Sequence, residues 1–224
     1  MKHSGKARKA AFKLILMSLA VLAVVLALGC ITPVVKVIAS VAIVVWLLFT
    51  VFTLYFFRDP DAQVPAGANL VLAPAHGQVD VVGMGTEPDF MGGECQRISI
   101  FLSVVDIHVQ NAPVGGKVAW FKYTTGQFLN ALKAESAIYN ENALIGFEAN
   151  EPRGQKVGVR LIAGLIARRI VPFVRQGDEV TRGDRISLIQ FGSRGDVYLP
   201  RNAKIKVQVG DRVVGGQTVL AVFE

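Results

Sequence analysis

Val174-Arg175-Gln176-Gly177-Asp178-Glu179-Val180-Thr181-Arg182-Gly183-Asp184-Arg185-Ile186 recurs 33 residues later as Val207-Gln208-Val209-Gly210-Asp211-Arg212-Val213-Val214-Gly215-Gly216-Gln217-Thr218-Val219. In each copy apolar, mostly β-branched residues flank a Gly-Asp pair and then a second glycine. This reads as strand, turn, strand, glycine turn and strand. A looser echo, Pro-x-x-Gly-x-Val, stands at Pro74-Gly77-Val79 and at Pro113-Gly116-Val118. Two quasi-equivalent halves of this kind predict a mostly β domain, a sandwich or flattened barrel with pseudo-twofold symmetry. Further strands are expected at Leu70–Leu72, Gly77–Val82, Arg97–Leu102 and Val157–Ile162, with short helices around Phe128–Lys133 and Gly164–Arg169. Lipoyl and biotinyl carrier domains share this texture. They carry a modified Lys at a hairpin tip, and neither a Met-Lys-Met nor an Asp-Lys-Ala tripeptide is present here.

Upstream of this β-rich part the composition changes. Residues 1–57 contain no Asp or Glu, and Lys2, Lys6, Arg8, Lys9 and Lys13 crowd the first thirteen positions. With Lys36 they account for six of the 24 basic residues, leaving 18 against 17 acidic from Arg58 onward. The formal charge of +7 is therefore an N-terminal arm beside an apolar run, the signature of a cytoplasmic flank drawn to anionic lipid. It gives no electrostatic case for nucleic acid. Leu14–Ile31 and Val37–Phe57 are uncharged runs of eighteen and twenty-one residues, close to the roughly 20 that cross a bilayer as a helix. Thr32-Pro33-Val34-Val35-Lys36 separates them. The first run exceeds the h-region of a signal peptide, about 7–15 residues, and a second follows directly, so a hairpin is expected, spanning or re-entrant. Positive charge at its outer ends puts both termini, and the domain, on the cytoplasmic side of the cell membrane. The chain thus divides into a basic arm at 1–13, a helical hairpin at 14–57 and a β domain at 58–224. Cys30 and Cys95 suggest neither a disulfide framework nor a metal site.

His3 lies in the arm, leaving His76 and His108 for imidazole chemistry near neutral pH. On an extended chain Asp106 and His108 would project to one face. Gln190-Phe191-Gly192-Ser193-Arg194 breaks the C-terminal repeat with a Gly-Ser step between apolar strands. Taken in order, Phe56-Phe57-Arg58-Asp59-Pro60, Ala73-Pro74-Ala75-His76-Gly77, Phe101-Leu102-Ser103-Val104-Val105-Asp106-Ile107-His108-Val109, Ala112-Pro113-Val114-Gly115-Gly116-Lys117-Val118, Ala163-Gly164-Leu165-Ile166-Ala167-Arg168-Arg169-Ile170 and Phe191-Gly192-Ser193-Arg194 are informative together. They resemble the short, membrane-anchored phosphatidylserine decarboxylase proenzymes of archaea and bacteria, from the second apolar run to near the C-terminus.

That resemblance implies self-cleavage between Gly192 and Ser193, giving chains 1–192 and 193–224 that remain together as a heterodimer, with higher oligomers left open. Ser193 would become a covalent pyruvoyl cofactor. Through a Schiff base it would convert phosphatidylserine in the membrane to phosphatidylethanolamine and CO₂. His108 matches the family's catalytic His, the base for Ser193. Lys117, Arg168 and Arg169 are candidates for the lipid headgroup.

The chain departs from the family at position 76, where Pro-Ala-Asp-Gly has become Pro-Ala-His-Gly. That Asp completes a Ser-His-Asp triad, so Asp106 or Asp80 is the candidate replacement carboxylate. Two alternatives stay open: a homologue that never matures because of His76, and a decarboxylase acting on a related aminophospholipid such as archaetidylserine.

Overall fold

The structure, a computed structural model, describes residues 2–28, 33–129, 139–164, 169–190 and 193–224. Two units make up the chain, one of residues 4–59 and one formed by residues 60–224 with the first three residues.

The smaller unit is a pair of helices, α1 (Lys6–Leu28) and α2 (Pro33–Phe56). Their apolar stretches of 22 and 21 residues are long enough to cross a bilayer. The first helix starts within the basic arm, eight residues before the expected apolar run. The separator expected at Thr32–Lys36 is mostly helical, because Pro33 takes the first helical position, where its missing N–H is no loss and its fixed φ suits the helix. Two polar side chains find partners within the pair: Trp46 Nε1 donates to Ser18 Oγ at 3.1 Å, and Thr53 Oγ1 to the Phe49 carbonyl at 2.7 Å.

Among the described residues of the larger unit, the named elements are all strands. Its strands are β1 (Leu70–Leu72), β2 (Gly77–Glu87), β3 (Gly93–Leu102), β4 (Val109–Asn111), β5 (Gly116–Thr124), β6 (Asn142–Asn150), β7 (Arg153–Ala163), β8 (Arg169–Pro172), β9 (Glu179–Val180), β10 (Arg185–Gln190), β11 (Ser193–Leu199), β12 (Lys204–Ile205), β13 (Arg212–Val213) and β14 (Val219–Val222). An eight-stranded antiparallel sheet runs β13-β2-β3-β11-β7-β6-β5-β9, beside two three-stranded sheets, β1-β14-β12 and β4-β10-β8. The large order is a palindrome under the exchange of β1, β2, β3, β11, β12, β13 and β14 for β4, β5, β6, β7, β8, β9 and β10. The same exchange converts one small sheet into the other. One motif, β4–β10, is therefore inserted between the third and fourth strands of its twin.

Hydrogen bonds repeat across this pseudo-dyad. Leu72 N donates to Pro113 O while Asn111 N donates to Pro74 O, at 2.9 and 2.8 Å. Val79 N donates to Asp211 O and the Val79 carbonyl accepts from Gly210 N, just as Val118 N donates to Asp178 O and its carbonyl accepts from Gly177 N. The Pro-x-x-Gly-x-Val echo has a steric cause. A Cβ on Gly77 would sit 2.1 Å from the Phe101 carbonyl oxygen, and one on Gly116 would sit 2.0 Å from that of Glu148. The Gly-Asp turns are closed alike, by Asp178 accepting from Arg175 N and Asp211 from Gln208 N.

Inward residues alternate along the strands, so Val79, Ile98, Ile100, Leu102, Val159, Leu161, Val197 and Leu199 form the main core, all fully buried. Each contributes on the order of 1.5–3 kcal/mol. Phe90, Cys95, Leu144 and Tyr198 form a smaller cluster. Of the two expected short helices, 130–133 and 165–168 lie outside the described residues, and Arg169 begins strand β8. The segment that rejoins the helices to the sheet is strapped down by Arg182, whose Nη2 donates to the carbonyls of Gly67 at 2.8 Å and Pro65 at 3.3 Å.

Candidate active site

Ser193 opens β11 and is paired from that first residue on both sides, with Leu102 of β3 and Ala163 of β7. It is fully buried, and its Oγ makes no hydrogen bond. A buried hydroxyl without a partner costs about 1–3 kcal/mol, so a role other than stability is the natural reason to keep it. Gly192, the other half of the expected cleavage site, lies outside the described residues.

His108 is fully buried just before β4. Its carbonyl accepts from Ile189 N at 3.0 Å and from Gln110 Nε2 at 2.7 Å. This seats it opposite β10, whose chain runs on through residues 191 and 192 to Ser193. The extended geometry expected for Asp106 and His108 is not what forms. The chain turns at Ser103–Asp106: Asp106 N donates to Ser103 O, and Asp106 Oδ2 accepts from Ser103 N at 2.9 Å and Ser103 Oγ at 2.8 Å. Asp106 meets His108 through its backbone, the carbonyl lying 2.9 Å from Nδ1. A carbonyl only accepts, so Nδ1 carries the proton in this contact, and in the neutral ring Nε2 holds the lone pair.

The other carboxylate candidate is also committed elsewhere. Asp80 sits at a bulge of β2 and pairs with Arg194 at 2.6 Å, on the face of the sheet opposite Ser193, because successive strand residues alternate. Burial raises the Asp80 pKa above 3.8 against the pull of Arg194, with Asp196 pushing it further up. His76 is half-buried on the Pro74–Gly77 turn, where its ring adjoins Gly215 and the Asn111 side chain.

The three headgroup candidates separate. Lys117 lies at the far end of β5, seven residues, or roughly 23 Å, from the end that aligns with Ser193. Arg168 lies outside the described residues. Arg169 pairs with Gln190, three residues before Ser193, and is exposed.

Several contributors escaped the sequence reading. Arg212 Nη2 donates to Asp106 Oδ1 at 2.6 Å, fastening the turn before His108 from β13. Arg194, largely buried, lies between Asp80 and Asp196, with Nε 3.4 Å from the latter. Asn140, also buried, donates to the Ala163 carbonyl at 2.7 Å and closes the strand end beside Ser193. The Gly-Ser-Arg and Gly-Asp-Arg motifs contained two of these arginines, but no local pattern reveals contacts across 106 or 114 positions.

The family model for phosphatidylserine decarboxylase matches residues 49–221. The chain is 44% identical over 168 residues to a protein named phosphatidylserine decarboxylase proenzyme from Desulfotalea psychrophila, covering 75% of this chain and 78% of that one. Similar likeness links it to proteins of the same name from Symbiobacterium thermophilum, at 44% over 167 residues, and Geobacter metallireducens, at 42% over 170. The shares covered are 75% and 77%, and 76% and 77%, of this chain and the relative. With a family match that spans most of the chain and relatives aligned over three-quarters of both lengths, this protein belongs to the phosphatidylserine decarboxylase family.

Proposed function

We propose that this chain is a self-processing, membrane-anchored decarboxylase that converts phosphatidylserine to phosphatidylethanolamine and CO₂. The observation that carries the reading is the buried, unpaired Oγ of Ser193 at the first residue of a central strand, in a chain whose relatives are named proenzymes. Ser193 Oγ attacks the Gly192 carbonyl carbon while His108 Nε2 takes its proton, and the peptide becomes an ester. Loss of the Cα proton expels the Gly192 carboxylate and leaves dehydroalanine at position 193. Water then replaces nitrogen there, releasing ammonia and leaving a pyruvoyl group. The residues fit that group, since the atom it derives from is enclosed and satisfies no other partner. When formed, its ketone supplies an electron sink for a substrate amine.

The chain's own residues do the rest. Strand pairing to Leu102 and Ala163 holds the new terminus after the bond is cut, so chains 1–192 and 193–224 stay joined. The contact of Nδ1 with the Asp106 carbonyl orients His108 for proton transfer. Between the two described candidates, Arg169 is better placed for the headgroup phosphate than Lys117. Purified protein should release CO₂ from carboxyl-labelled phosphatidylserine, and Ser193→Ala should release none. Equal release by both would refute the reading.

The domain faces the cytoplasm of the cell membrane, with positive charge flanking the outer ends of the helix pair. Protease added to intact spheroplasts should leave it whole, and digestion from outside would reverse the orientation.

A further inference from the structure

The turn that carries Asp106 presents an apolar tip. Val104 and Val105 are 39% and 52% exposed, although Leu102 before them and His108 after them are fully buried. Turn tips favour Gly, Asn, Asp and Ser, so two adjacent valines there need a reason. The turn is not slack. Both ends are closed by the Ser103–Asp106 bonds, and Arg212 ties it to β13. Its position follows from sheet register: Leu102, paired with Ser193, is the residue before the turn. The valines therefore project beyond the end of the sheet at which β11 begins. Exposed basic groups stand at the same end, Arg212 on the turn and Arg169 opposite Gln190.

We infer that this end of the β domain docks on a bilayer surface, with Val104 and Val105 entering the headgroup–acyl boundary and Arg169 and Arg212 at the phosphate level. The inference rests on the proposed lipid substrate and names the surface through which the site meets it. Charge and anchorage favour lipid as the occupant. Basic side chains around an apolar tip suit anionic headgroups, and the two helices of the proposed anchor are long and apolar enough to cross a membrane. Two valines are far too little for a stable protein interface, which buries about 800 Å² per partner. They suffice to orient a domain that is already tethered, favouring the docked pose by roughly tenfold or more.

The full chain reconstituted in nanodiscs of phosphatidylcholine and phosphatidylserine provides the test. A fluorophore placed by Val104→Cys should be quenched severalfold more by nitroxide-bearing lipid than one placed by Lys117→Cys at the far end of β5, after subtracting labelling of the unsubstituted chain. The same comparison in a Ser193→Ala background needs neither cleavage nor turnover, so it separates docking from the proposed chemistry. In processed protein, Val104→Ser/Val105→Ser should lower the ratio of turnover on bilayer substrate to turnover on dispersed short-chain phosphatidylserine about tenfold. Equal quenching at 104 and 117 would overturn the inference. So would energy transfer between labels at 104 on separate copies without lipid quenching, which would assign the tip to a second chain.

Discussion

At position 76 the resemblance leads one to expect a carboxylate where this chain has an imidazole, and under the proposed mechanism the geometry around His108 gives that difference a kinetic meaning. In the proposed cleavage His108 becomes cationic as Ser193 gives up its proton, and a nearby anion would stabilise it. Neither candidate replacement is disposed to do so. The Asp106 carboxylate is shared between Ser103 and Arg212, and that of Asp80 is paired with Arg194 on the far face of the sheet. What Asp106 offers the His108 ring is a neutral dipole, its backbone carbonyl. Restoring a carboxylate by His76→Asp should speed chain splitting by about tenfold or more, each tenfold corresponding to about 1.4 kcal/mol of barrier. Time courses of splitting in matched cell-free synthesis with liposomes would check it. A rate equal to or below wild type would mean that position 76 does not limit maturation.

Among the elements, β11 is held twice, by backbone pairing with β3 and β7 and by the Asp80–Arg194–Asp196 ion cluster on its outer face. Burial makes the Asp80 pKa higher in the folded protein than its ordinary 3.8, so the native state binds that proton more tightly than the unfolded chain does. The sign follows: the group's favourable contribution is full below pH 3.8 and is lost as pH rises through the raised folded value. Asp80→Asn removes that step. Denaturation of processed wild type and variant across this range should show wild type losing stability relative to the variant as pH rises, whereas parallel curves would mean that Asp80 does not titrate this way. Strands with turn chemistry on both sides were legible in the sequence: Leu70–Leu72 was expected with the bounds it has, and the Gly-Asp turns stand where the repeat put them. The turn at Ser103–Asp106 was not. Two valines read as strand, and the side-chain bonds from Ser103 and the long-range grip of Arg212 override that preference.

For the whole molecule, the palindromic strand order explains where a cut can be made without dismantling the fold. The proposed cleavage after residue 192 would fall between β10, the last strand of the inserted motif, and β11, where its twin resumes. Strands β11–β14 then belong to the short chain, yet every one of them pairs with a strand of the other chain or with another short-chain strand so held. The repeat that predicted two halves was visible in the sequence because turn glycines mark it; the nesting was not, since it depends on which strands meet across the sheet. Intact-mass analysis of the purified, membrane-extracted protein is the most direct measurement of self-processing at Ser193. The expected result is two chains, residues 1–192 and 193–224, with the short one lighter than its serine-terminated form by one ammonia. A single chain of 24.2 kDa with Ser193 intact, or a break at another position, would contradict it.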